Sequence, residues 1–133
     1  MEEMSEYEKK CEQYKKDNEQ YLEWFRQDLE ESGLKPKTIR NHIENMDLYL
    51  NDYLQYEDAY SMEEGINEVF GFLGYWFIHK CLWSSPDSLR KCSASLKKFY
   101  KSMLARGKVS QDDYDYMVFI IKENLQDWMD MCY

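Results

Sequence analysis

Spacing is the feature that most constrains this chain. Apolar side chains return every three or four residues along successive stretches, and proline occurs only between the stretches. That interval is the period of an α-helix packed by one face. No alternating Val/Ile/Thr run bounded by turn residues competes with it, so strands are not expected. Tyr7, Cys11, Tyr14, Asn18, Tyr21, Phe25 and Leu29 mark a first helix over residues 5–31, stopped by Gly33. It reads as an ordinary amphipathic helix or as a short coiled-coil seam with a polar Asn18 in it. Pro36 suits the first turn of a second helix, whose face runs through Ile39, Ile43, Met46, Leu50 and Tyr53 to about residue 54. Residues 55–62 read as a loop.

A third helix is expected over residues 63–82, with Ile66, Val69, Phe70, Leu73, Trp76, Phe77 and Cys81 as its stripe. Phe72, Tyr75 and Ile78 make it apolar nearly all round, so it is central in the core or partly a partner surface. Gly71 and Gly74 each cost roughly 1 kcal/mol against Ala, for which close approach of a neighbouring helix is a plausible return. Leu89, Cys92, Leu96, Phe99, Tyr100, Met103 and Leu104 line a fourth helix over residues 87–106, ended by Gly107. Ser110 is placed to cap a fifth, faced by Tyr114, Met117, Val118, Ile121, Leu125, Trp128 and Met129. The fold expected is all-α, a compact bundle of about five helices in one domain over residues 1–133.

A chain of 133 residues buries a core without disulfides or metals. Cys11, Cys81, Cys92 and Cys132 form no CxxC pair, and His42 and His79 do not supply the missing ligand spacing, so no metal site is expected and the cysteines read as buried or partly buried free thiols. His42 reads as edging the core. No glycine-rich phosphate cradle, no HExxH and no GxSxG occurs, so neither a cofactor nor catalysis is expected. The N-terminus is acidic and polar rather than a secretory leader. The longest apolar stretch, residues 69–78, is about half the ~20 residues a membrane helix needs. A cytoplasmic, soluble protein is the expectation.

Charge then singles out one segment. The net charge is −9, yet residues 81–109 carry seven basic groups and one acidic group. At 100° per residue, Arg90, Lys97 and Lys101 fall on one flank of the fourth helix, roughly 80–120° from Leu89, and Lys91 and Lys98 lie near 180–200°. Five cations along about three turns make a footprint for phosphates, with Ser93 and Ser95 as further hydrogen-bond donors. A solvated face whose lysines pair with the acidic first and fifth helices fits the same pattern. A second cluster, Lys35, Lys37, Thr38, Arg40 and Asn41, opens the second helix, where backbone N–H groups and the helix dipole already favour anions. Ordinary helix-start polarity also accounts for it.

The same two clusters carry a resemblance. The stretch YLEWFRQDLEESGLKPKTIRNHIENMDLYLNDYL, with Gly33, Leu34, Pro36, Thr38 and Ile39 at its turn, resembles the opening of the SAM-like core-binding domain of phage integrases and other tyrosine recombinases. SLRKCSASLKKFYKSMLARGKVS, through Ser95, Leu96, Lys97, Phe99, Tyr100 and Gly107, resembles that domain's last conserved helix. The likeness covers about residues 21–110, leaving residues 1–20 as a helical extension and 111–133 as a closing helix. It implies a non-catalytic module contacting double-stranded DNA through the two basic clusters. No HxxR is present, and the recombinase catalytic domain would have to follow residue 133. On this resemblance the chain is expected to be either a fragment of a recombinase or a free-standing module, and the apolar face of the last helix favours the second. The alternative function is a protein-interaction module that kept the fold without DNA. It would bind a partner or itself through an aromatic surface at Tyr75, Trp76 or Ile78.

Overall fold

The computed structural model describes residues 4–132. Residues 1–3 of the expected N-terminal extension and residue 133 of the closing helix lie outside that range. The chain is all-α, with no strand among the described residues. Its backbone divides into two compact units, Met1–Gly65 and Ile66–Tyr133.

In the first unit, α1 (Glu6–Glu31) begins where the Ser5 hydroxyl accepts the Glu8 amide at 3.1 Å. It ends at Gly33, whose φ of 81° is the left-handed value that glycine adopts most cheaply. The Gly33 and Leu34 amides then reach back to the Glu30 and Leu29 carbonyls, satisfying acceptors the helix end would leave open. Helix α2 (Pro36–Asp47) follows and continues as a π-helical turn, π1 (Leu48–Tyr53). The Leu54 amide bonds the Tyr49 carbonyl, five residues back instead of four.

That turn explains the polar residue in the α1 seam. Asn18 is buried, and its Nδ2 donates to Asn51 Oδ1 at 2.9 Å and to the Leu50 carbonyl at 3.4 Å. Gln55 Nε2 donates to the same carbonyl at 3.1 Å. In an α-helix the Leu54 amide would have taken that acceptor. The extra residue of the π turn therefore offers a carbonyl to two buried side-chain amides. Phe25, Leu29, Ile39, Met46, Tyr49, Leu50 and Leu54 fill the core around them, and His42 edges it with its ring 6.4 Å from that of Phe25. A short helix, α3 (Met62–Gly65), closes the unit, and the Tyr49 hydroxyl donates to the Gly65 carbonyl.

The second unit contains α4 (Val69–Gly71), a second π turn π2 (Phe72–Trp76), α5 (Phe77–Lys80), α6 (Pro86–Ala105) and α7 (Gln111–Asp130). The single helix expected over residues 63–82 is thus three short helices and a π turn. Phe72, expected on the periphery, is fully buried, whereas Phe70, expected in the core stripe, is 55% exposed. Ile78 is buried and Trp76 half-buried, so of the three residues expected on an aromatic surface only Tyr75 is exposed.

Helices α6 and α7 form a hairpin. Ser85 and Ser88 make reciprocal caps at the start of α6, and the Ser110 hydroxyl accepts the Asp113 amide at 3.1 Å at the start of α7. Between them Gly107 has φ 75°, and the Gly107 and Lys108 amides return to Leu104 and Met103. Helix α7 also packs on α4 and π2. There a Cβ on Gly74 would stand 2.6 Å from Trp128 Nε1, so the glycine lets the indole lie against the backbone.

Candidate functional site

On α6 the buried arc is wider than apolar periodicity alone indicates. Leu89, Cys92, Leu96, Phe99, Tyr100 and Met103 are buried as expected, and Ser93, Ser95 and Ser102 are buried with them. Ser93 Oγ donates to the Arg90 carbonyl at 2.7 Å and Ser95 Oγ to the Lys91 carbonyl at 3.1 Å. These two serines face the interior and bond their own helix, so they are not presented to an outside phosphate.

What is left facing outward is almost wholly cationic. The remaining arc, roughly 80–200° from Leu89 at 100° per residue, holds Arg90, Lys91, Lys97, Lys98 and Lys101, with Ala94, Ala105 and the N-terminal Asp87. Four of these cations are exposed and Lys97 is half-buried. Asp87 pairs with Arg90 at 3.3 Å and Lys91 at 3.0 Å. Its hydrogen bond from Lys91, and then the charges of Lys91 and Arg90, hold its carboxyl below the usual range. Lys97, Lys98 and Lys101 have no ion pair among the described residues of the second unit, although α7 beside them is acidic. The pairing of α6 lysines with the fifth helix is therefore absent, and the acid that does pair sits at i−3 and i−4 on α6 itself. From Arg90 to Lys101 the face runs about 16 Å at 1.5 Å per residue.

The second cluster stands in the first unit. Lys35 is the N-cap residue of α2 and supplies no side-chain cap, so the first-turn amides remain open to an outside acceptor. Lys37, Thr38, Arg40 and Asn41 follow, all exposed. Arg40 and Glu44 rim a shallow concavity of about 440 Å³ floored by Leu34, Pro36, Ile39 and Ile43. Arg26 on the same rim is engaged by Glu23 and Glu30 and is not available as Arg40 is.

All four cysteines are free thiols, with Cys81 and Cys92 buried and Cys11 and Cys132 half-buried. Among the described residues no group of three His, Cys, Asp or Glu side chains could hold a metal ion, and no helix is long and apolar enough to cross a membrane. Exposed aromatics that periodicity did not isolate are Tyr56, Phe70 and Trp83, together with Tyr116 and Phe119, whose rings stack at 6.5 Å. Comparison with known proteins finds no matching family model, no matching curated protein and no matching solved structure.

Proposed function

We propose that this chain is a non-catalytic module that binds double-stranded DNA by its backbone phosphates, with the outward face of α6 as the principal contact and the start of α2 as a second. The observation that carries this reading is the set of lysines at 97, 98 and 101, which share one face and have no carboxylate partner in their own unit. Each B-DNA strand presents a phosphate per 3.4 Å of axis, so a 16 Å face matches about five phosphates. The resemblance to the core-binding domain of tyrosine recombinases supports the same two elements.

The test is fluorescence anisotropy of a ~20-base-pair duplex at 50 and 200 mM salt. With about five contacts, log K should fall against log salt with a slope near −4 to −5. Lys97→Glu/Lys101→Glu should abolish binding while leaving the helical circular-dichroism signal intact. A salt-insensitive complex, or full binding by the double variant, would overturn the reading.

A second reading is a protein-interaction module. The outer face of α7 favours it, where Tyr116 and Phe119 are 58% and 54% exposed among Asp112, Asp115 and Glu123.

A further inference from the structure

The short connection between α5 and α6 exposes two large apolar side chains. Leu82 is fully exposed and Trp83 is 62% exposed, although Cys81 and Leu89 on either side are buried. The backbone that carries them is tied down. The Ser84 amide bonds the Cys81 carbonyl at 3.1 Å, Ser84 Oγ donates to the Ile78 carbonyl at 3.3 Å, and Ser88 Oγ to the Trp83 carbonyl at 3.2 Å. The tip is thus held in place with its apolar side chains presented outward. One turn earlier, the rings of Tyr75 and His79 lie 4.4 Å apart at 57°, both exposed, with Tyr75 at 63%.

No acidic residue occurs between positions 69 and 86, and beyond Asp87, which pairs with Arg90 and Lys91, the tip leads into the basic face of α6. The cations do not encircle the tip. They run away from it along one helix, from roughly 6 Å to roughly 22 Å beyond its first residue at 1.5 Å per residue. A line of charge with rings at one end has the form of a nucleic-acid strand, with phosphates along it and bases projecting from it. A lipid surface would be met by charge spread around the apolar tip.

We infer that Trp83, with Leu82 beside it and the Tyr75–His79 pair behind it, is a stacking site for unpaired nucleobases. The module then prefers DNA with exposed bases to uninterrupted duplex. This rests on the phosphate-contact reading of α6 and adds the substrate form to it. Base–aromatic stacking is sequence-tolerant and strong enough for a preference of roughly tenfold or more.

The experiment compares the full chain on two labelled DNAs at 50 mM salt, a ~20-base-pair duplex and the same duplex with a short single-stranded gap. Wild type should favour the gapped DNA about tenfold. Trp83→Ala should remove that preference and leave duplex affinity and its salt slope unchanged, whereas Trp83→Phe should retain most of it. Equal affinity of wild type for the two DNAs would overturn the stacking site while leaving the phosphate contacts standing. Survival of the preference in a Trp83→Ala/Tyr75→Ala double variant would also overturn it. Absence of binding to either DNA would overturn both readings. Trp83-dependent binding to anionic phosphatidylserine vesicles, with no gap preference, would assign the tip to membranes instead.

Discussion

Tyr21 shows how one side chain ties the first unit to pH. Burial pushes its phenol up to about 12, helped by the charges of Glu63 and Asp17. Its folded value lies above the ordinary 10, so the neutral phenol contributes stability that is fully present below pH 10. That contribution is lost as pH rises through about 12. Tyr21→Phe should flatten the fall in stability over this window, read by urea denaturation at several pH values; equal falls in both proteins would remove Tyr21 as its cause. At this scale the sequence was a good guide wherever chemistry is local. Ser110 caps a helix because a hydroxyl ahead of a helix has free amides within reach, and Gly33 and Gly107 take the positive φ that ends one, whereas Ser5, read as the first helical residue, is the cap of α1. It misled for Ser93 and Ser95, whose polarity suggests solvent while their hydroxyls bond carbonyls one turn back and lie inside.

Among the elements, the contact of π2 with α7 is the least forgiving. Trp128 is 2% exposed and its indole lies where a Cβ on Gly74 would stand. Ala at position 74 gains about 1 kcal/mol of helix propensity. It also drives a methyl group into a buried ring with little room to move, at about 1–3 kcal/mol of overpacking. Gly74→Ala should therefore lower the thermal midpoint despite its better propensity, and a raised midpoint would show that the indole shifts at no cost. The close approach was legible from a glycine in an apolar stretch, but the winding was not. Residues 69–78 are apolar on every side, so no polar residue marks which way the segment faces, and nothing in the pattern tells that Phe72 is inside and Phe70 outside. The α6 cations were legible because their spacing and the lack of acid from 88 to 109 are one-dimensional facts. Their division into a pair bonded to Asp87 and a trio with no ion pair among the described residues was missed, although i+3 and i+4 spacing carries it.

For the whole molecule, the net charge of −9 acts against the binding proposed for its basic segment, and the two readings of function respond to salt with opposite signs. Contacts with phosphates weaken as salt rises, through loss of counterion release. Self-association through the aromatic face of α7 would strengthen, because salt screens the repulsion between two acidic copies. Light scattering is expected to return a monomer mass at both 50 and 500 mM salt. A mass that grows with salt, and is restored to monomer by Tyr116→Ser/Phe119→Ser, would transfer the function to that face. The π1 turn bears on the length of the chain itself. It holds one residue more than an α turn between the same hydrogen-bonded ends, so the helix carries a residue here that regular winding would not accommodate. A single-residue deletion within Leu48–Tyr53 would let the winding revert and keep both flanks in register. The casualty would be the Leu50 carbonyl, reclaimed by the backbone, so that the Asn18 and Gln55 amides would each lose one of their two acceptors.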